Sequence, residues 1–319
     1  MSITRRAALA APLLAAPFIP ARAQSGVTSV VIPYAAGGAS DVVGRIVTEG
    51  LAQRLGGTFI MDHKPGASTT IAARHVARAQ PDGRTLLLAT VVTMAMAPLA
   101  IREPGYDPVR DFTHMTAVCT TEAWLVANER WGSLEALFAA ARQRPGQLSY
   151  ASWGVGTTAH LPMVELTARA GVEMLHVPFN GAPAALTEVI SGRVDCMIVL
   201  VAASRGQVEA GRVRVLGAAN KERIAAYPDI PTVAEQGFAG FGGGAWYSLH
   251  GPRGMQPEQA RRITQAAIES FSTPEAIAFM RSRGLAPDEF GTEALVARIP
   301  RELEQNRELM SRAGITPGA

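Results

Sequence analysis

Twice along the chain, a strand-like run stops at a glycine-rich turn that leads straight into an amphipathic helical pattern. The first run, 27–33, ends at Ala35-Ala36-Gly37-Gly38. Ser40-Asp41 then opens a helical pattern with Val42, Val43, Ile46, Val47 and Leu51 on one face. The second, 148–151, ends at Ser152-Trp153-Gly154-Val155-Gly156-Thr157-Thr158, with a helix expected over 157–170. Between and around these stand further strand and helix patterns. Strands are expected at 58–62, 85–89, 124–127, 174–177, 194–201, 213–218 and 245–249, and helices at 71–79, 133–144, 182–191, 257–270, 274–283 and 292–313. Such alternation predicts mostly parallel sheets with helices on both faces, in two α/β modules, the second inserted into the first.

Composition agrees with a large packed core. Of 319 residues, 48% are hydrophobic and 18% charged, which excludes a disordered or tail-like chain. The formal charge of +3 sits in the leader. Without Arg5, Arg6 and Arg22, 27 basic residues face 27 acidic ones, so a nucleic-acid partner is not expected. Thr4-Arg5-Arg6, an apolar run of about 14 residues and Ala21-Arg22-Ala23 make residues 1–23 a secretory signal peptide. Arg5-Arg6 with Leu9 suits the twin-arginine export route, and Sec signals carry such arginine pairs too. The apolar stretch 86–101 contains Pro98 and is too short to span a bilayer; a buried strand, a loop and a helix start explain it. Cys119 and Cys196 lie far apart in strand-like runs, and buried free thiols are expected.

The two turns are also where chemistry can reside. Each places free backbone N–H groups at the positive end of a helix dipole, an arrangement that binds carboxylate or phosphate without a cationic side chain. A single turn of this kind is equally well a tight connection; a matched pair, one per module, can grip one ligand from both sides. Gly154-Val155-Gly156-Thr157-Thr158-Ala159 fits a dinucleotide fingerprint in form but lacks the acidic residue after the next strand. The chain has no G-x-x-x-x-G-K-[ST], no G-x-S-x-G and no H-E-x-x-H. Its six histidines show no metal-ligand spacing, so neither cofactor nor metal is expected. A secreted hydrolase with His160 as base is the enzymatic alternative. Tyr34, Trp153 and Phe179 fall on turns, where they can wall an apolar pocket.

These turns carry a family resemblance. Pro33-Tyr34-Ala35-Ala36-Gly37-Gly38-Ala39-Ser40-Asp41, Lys64-Pro65-Gly66-Ala67 and Pro81-Asp82-Gly83-Arg84-Thr85-Leu86-Leu87 are followed by Tyr150-Ala151-Ser152 and Gly154-Val155-Gly156-Thr157-Thr158-Ala159-His160-Leu161. Val177-Pro178-Phe179-Asn180-Gly181-Ala182-Pro183-Ala184, Pro228-Asp229-Ile230-Pro231-Thr232-Val233-Ala234-Glu235 and Trp246-Tyr247 complete the series. In this order they resemble the periplasmic solute receptors of tripartite tricarboxylate transporters, the Bug proteins, over nearly the whole mature chain.

The resemblance implies an α/β, two-lobed fold of the type II periplasmic binding protein kind. Each lobe is then a mixed or parallel sheet flanked by helices, with two crossovers joining them. Lobe I would comprise 25–122 plus 246–319, and lobe II 123–245. It implies a periplasmic, monomeric receptor that closes on a small carboxylate and presents it to integral membrane transporter subunits, with a ligand sensor for a signalling partner as the alternative role. By family position the ligand contacts are Tyr34, Gly38, Ala39, Ser40, Thr90, Met94, Ser152, Trp153, Gly156, Thr157, Thr158, Phe179 and Val199. The chain departs from the family where charge or polarity is common. A frequent Asp is Val199, a frequent His is Met94, Phe179-Asn180-Gly181 replaces Tyr-Arg/Lys-Gly, and Ser68-Thr69-Thr70-Ile71-Ala72 replaces G-G-N-I-G. A ligand with a carboxylate head, an apolar or aromatic body and no ammonium group is therefore expected, because an uncompensated ammonium would be desolvated beside Val199.

Overall fold

The structure is a computed structural model that describes residues 26–179, 181–242, 245–312 and 314–316. The leader, 1–23, lies outside the described residues. Strand β1 (Val27–Ile32) is followed by α1 (Ala39–Leu55), β2 (Thr58–His63), α2 (Thr70–Ala77) and β3 (Thr85–Thr90). A π-helix (Val92–Met96) and α3 (Ala97–Ala100) lead to β4 (Phe112–Thr121). The chain then crosses over to β5 (Ala123–Ala127), α4 (Leu134–Gln143), β6 (Ser149–Ser152), α5 (Leu161–Ala170) and β7 (Leu175–Pro178). Next come α6 (Ala182–Ile190), β8 (Cys196–Leu200), α7 (Val201–Glu209) and β9 (Arg214–Ala218). It returns through β10 (Trp246–Pro252) to α8 (Pro257–Ser272), α9 (Pro274–Arg281), β11 (Leu285–Pro287) and α10 (Thr292–Arg312).

Two sheets result, ordered β11-β4-β10-β3-β1-β2 and β7-β6-β8-β5-β9. Among the described strands, β2-β1-β3 and β7-β6-β8 run parallel. The strands beside the crossovers, β4, β5 and β10, pair antiparallel with their neighbours. Sequence alternation alone suggests mostly parallel sheets; a chain that leaves one sheet and later re-enters it has to run against its neighbours, so both sheets are mixed. This is the two-lobed α/β fold that the resemblance implies.

Helices cover both faces of each sheet. On one face of the first, Val43, Val47 and Leu51 of α1 and Ile263, Ala267 and Phe271 of α8 bury Val30, Ile32, Leu86 and Leu249. On the other, Ala72, Ala73 and Val76 of α2 and Leu295 and Ile299 of α10 cover Val31, Leu87 and Ala89. In the second sheet, α4 and α5 cover Leu125, Tyr150 and Ile198, while α6 covers Trp124, Val126 and Ala151. Ser133 caps α4 by accepting the Ala136 N–H at 3.1 Å, as its sequence position suggests. Cys119 and Cys196 are buried free thiols in different sheets. Among the described residues no helix is long and apolar enough to cross a membrane.

The sheets are tied at the crossovers. Thr121 donates from its N–H and its hydroxyl to the Ala245 carbonyl, at 2.6 and 2.9 Å. Asn220 Oδ1 accepts the Ala123 N–H at 2.8 Å. Glu122 donates to the Gly284 carbonyl and accepts from the Val201 N–H. Gly284 is pressed so close to Val201 that a Cβ there would lie 2.8 Å from the valine Cβ. This edge is therefore a close backbone contact between the unit carrying β11 and the unit carrying α7.

Candidate functional site

The C-terminal ends of β1 and β3 bring residues 33–40 and 90–94 together, as parallel pairing of the two strands requires. Tyr34 Oη lies 3.1 Å from Thr90 Oγ1, and Thr90 in turn is joined to the Thr93 hydroxyl through its N–H at 3.3 Å. Enclosure of the Tyr34 phenol pushes its pKa up to about 12, the Thr90 hydrogen bond opposing this. Ser40 Oγ is 3.1 Å from Tyr247 Oη at the opening of α1. Burial likewise raises the Tyr247 pKa, so these groups face the site as neutral hydroxyls.

Helix α1 carries no side-chain cap. Asp41, in its first turn, is spent elsewhere: one oxygen accepts the Gly37 N–H at 2.5 Å and the other meets His63 Nε2 at 2.8 Å. Among the described residues the N–H groups of Gly38, Ala39 and Ser40 have no acceptor. They stand at the positive end of a 17-residue helix, a ready site for an anion.

The second turn is more self-contained. Thr157 Oγ1 donates to the Gly154 carbonyl at 2.8 Å, and the Gly156 N–H donates to His160 Nδ1 at 3.0 Å. Ser152 is fully buried, with its hydroxyl 2.7 Å from His176 Nε2. Behind the turn His160 and His176 stack with ring centroids 3.9 Å apart, and Tyr150 stacks on His176 at 5.1 Å. The helix begins at Leu161 rather than 157, because Thr157 first closes a turn by accepting from the N–H groups of His160 and Leu161. Helix α5 also lacks a side-chain cap, and the Thr157 and Thr158 N–H groups have no acceptor among the described residues.

Sequence placement and observed placement therefore differ in detail. Gly38, Ala39 and Ser40 sit at the uncapped start of α1, and Thr157 and Thr158 in the turn just before α5. Gly156 has its amide taken by His160; its α-carbon instead packs between the sheets, where a Cβ would lie 3.0 Å from Ala100 Cβ and 3.7 Å from Met310 Cε. Ser152 lies beneath its turn, holding His176. Met94 and Val199 are buried in the cores under α10 and α6 respectively. Trp153 and Phe179 are half-buried against the Trp124–Val199 core. The Gly156 and Leu161 contacts to α3, α10 and the first core show that the second turn abuts the first unit. The histidine stack was not legible, since it needs the β6–β7 pairing that sets Tyr150 opposite His176. Among the described residues no cluster of His, Cys, Asp or Glu can hold a metal.

The stack has a pH consequence. Burial, with His176 beside it, lowers the His160 pKa to about 4, and burial lowers that of His176 as well. A neutral His160 is required for Nδ1 to accept the Gly156 amide. Because the unfolded chain takes up a proton near the ordinary 6.5 and the folded one only near 4, stability is lost as pH falls through that window. Thermal unfolding between pH 7 and 4 should show a loss of about 2–3 kcal/mol, and His160→Gln should flatten that slope. Equal slopes in both proteins would refute the assignment.

Comparison with known proteins accords with this architecture. Residues 43–315 match the model of the tripartite tricarboxylate transporter family receptor, TctC. A UPF0065 protein from the tcbD-tcbE intergenic region of Pseudomonas sp. strain P51 is 32% identical over 283 residues, covering 88% of this chain and 84% of that protein. The solved structure of R. palustris Rpa4515 with adipate superposes with a TM-score of 0.86 at 28% identity, covering 91% of this chain and 98% of the other. That of the periplasmic binding protein BugD gives 0.82 at 28% identity, with the same coverage. The chain belongs to the TctC (Bug) family of periplasmic solute-binding receptors, a family of binding proteins rather than enzymes.

Proposed function

We propose that this receptor captures a small organic acid between its two units and delivers it to the membrane subunits of a tripartite tricarboxylate-type transporter. In this reading residues 25–122 with 246–319 form one lobe and 123–245 the other, and the protein acts in the periplasm as a monomer after export by the leader. The observation that carries the reading is the pair of turns with free amides, Gly38, Ala39 and Ser40 at the start of α1 and Thr157 and Thr158 in the turn before α5. Their amides solvate a carboxylate without a cationic side chain. Half-buried Trp153 and Phe179 favour an apolar or aromatic body and disfavour an ammonium group. A carboxylate-bound structure of a relative, that with adipate, supports the ligand class.

Ligand contact with both lobes shifts the population toward the closed form. Ser40→Trp fills the space at the start of α1 and breaks the Tyr247 contact. Thr157→Pro deletes a free amide and the hydroxyl bond to Gly154. Each should weaken binding of an aromatic or aliphatic carboxylate at least about 100-fold by calorimetry. Unchanged affinity in both variants, or tight binding of glutamate with simple carboxylates inert, would refute the proposal.

A further inference from the structure

The turn between β2 and α2 holds a conformation that its own sequence disfavours. Ala67, Ser68 and Thr69 are consecutive residues with φ of 45°, 48° and 76°, a left-handed region that L side chains avoid. Among the described residues they are the non-glycine residues with positive φ. Thr69 is 3% exposed, and its hydroxyl is buried with no hydrogen-bond partner among the described residues. Its N–H is satisfied by the Gly66 carbonyl at 3.0 Å, so the unmet group is the side chain alone. A buried hydroxyl without a partner is uncommon, because its desolvation is not offset. Backbone strain and an unmet polar group in one turn are a combination found at ligand sites.

The position fits such a role. Pairing of β1 with β2 sets His63 opposite Ile32, and the Lys64 N–H donates to the Ile32 carbonyl at 2.8 Å. The turn thus leaves the sheet at the same edge as residues 33–40. It packs against the π-helix Val92–Met96, whose Thr93 hydroxyl is linked through Thr90 to Tyr34. Helical irregularities of this kind are frequent at functional sites.

We propose that the Thr69 hydroxyl is a specificity-determining donor of the cleft, hydrogen-bonding a second carboxylate at the far end of the ligand once the left-handed turn yields on binding. The proposal rests on the receptor reading above and adds the ligand's second end. An uncharged donor with no partner of its own gains a bond only from a ligand that brings an acceptor to it, so a diacid is favoured over the monoacid of equal length.

Calorimetry with adipate and hexanoate, on wild type, Thr69→Val, Thr69→Ser and Ser68→Gly, tests this. The wild type should prefer adipate by about tenfold or more. Thr69→Val keeps the shape without the hydroxyl; it should lose that preference while hexanoate affinity stays unchanged. Thr69→Ser should retain the preference. Ser68→Gly, which accepts positive φ freely, should raise the Tm by several degrees with discrimination intact. Wild-type discrimination surviving in Thr69→Val would overturn this inference alone. A wild type that binds no organic acid would overturn the receptor reading, and this inference with it.

Discussion

Replacing Gly156 by valine should abolish tight ligand binding while leaving each sheet folded. Gly156 has φ +71°, a conformation that costs an L-residue about 1–2 kcal/mol, and more for one branched at Cβ. Its α-carbon lies where a Cβ would stand 3.0 Å from Ala100 and 3.7 Å from Met310. A valine therefore wedges the second turn away from α3 and α10 at the point where the two units touch. It also shifts the amide that holds His160. On the proposed binding mode a ligand favours the closed form by touching both units, so displacing the second turn removes its contacts on that side. Loss of affinity by about 100-fold or more is expected, equivalent to about 2.7 kcal/mol, with Gly156→Ala intermediate. Calorimetry on the two variants decides it, and wild-type affinity in Gly156→Val would show that the contact at this turn is irrelevant to closure.

Most of the fold was legible because burial follows a period. Helices α1, α8 and α10 carry one apolar stripe, and Ser133 announces the start of α4. Helix α7 was missed because only Val201 and Ser204 along it are buried, so no stripe exists to read. The run around Cys119 reads as strand-like, yet the ten-residue β4 was not legible as one element. Thr116 and His114 interrupt its apolar pattern, and only tertiary partners explain them: the Gly291 N–H meets Thr116 Oγ1 at 2.9 Å, and His250 meets His114 at 3.0 Å. The stretch after Thr90 reads as a loop, but Val91 continues directly into a π-helix packed against the core.

The site was legible in its outline and not in its hydrogen bonding. Glycine-rich strand-to-helix turns advertise free amides, and at Gly38, Ala39 and Ser40 the amides are indeed without an acceptor among the described residues. Which amides are consumed locally depends on side chains several residues away. Asp41 takes Gly37, and His160 takes Gly156. The left-handed turn at Ala67, Ser68 and Thr69 is invisible to sequence reasoning for the opposite reason. Its residues carry side chains where such a backbone would advertise glycine.

Asp195→Ala should be the most destabilising single change in the second sheet, and it lies at the end of that sheet opposite the turn at 152–158. Asp195 opens β8 and is 5% exposed. One carboxylate oxygen accepts from Arg130 and from Trp131 Nε1, the latter at 3.1 Å. The other accepts the Ser149 N–H at 2.8 Å and the Ser149 hydroxyl at 3.4 Å. One side chain thus joins the start of β6, the β5–α4 connection and β8. Alanine leaves the Ser149 amide and the tryptophan N–H without a partner, each costing roughly 1–3 kcal/mol. The half-exposed Arg130 can turn to water, which limits the total to about 3–4 kcal/mol. For a chain of this size that corresponds to a fall in Tm of about 6–12 °C. Asp195→Asn keeps one acceptor and should recover part of the loss. Because the candidate ligand turn at 152–158 lies at the other end of β6, ligand affinity measured well below the Tm should change less than twofold; a large affinity loss in Asp195→Asn would mean that the two ends of the sheet are coupled.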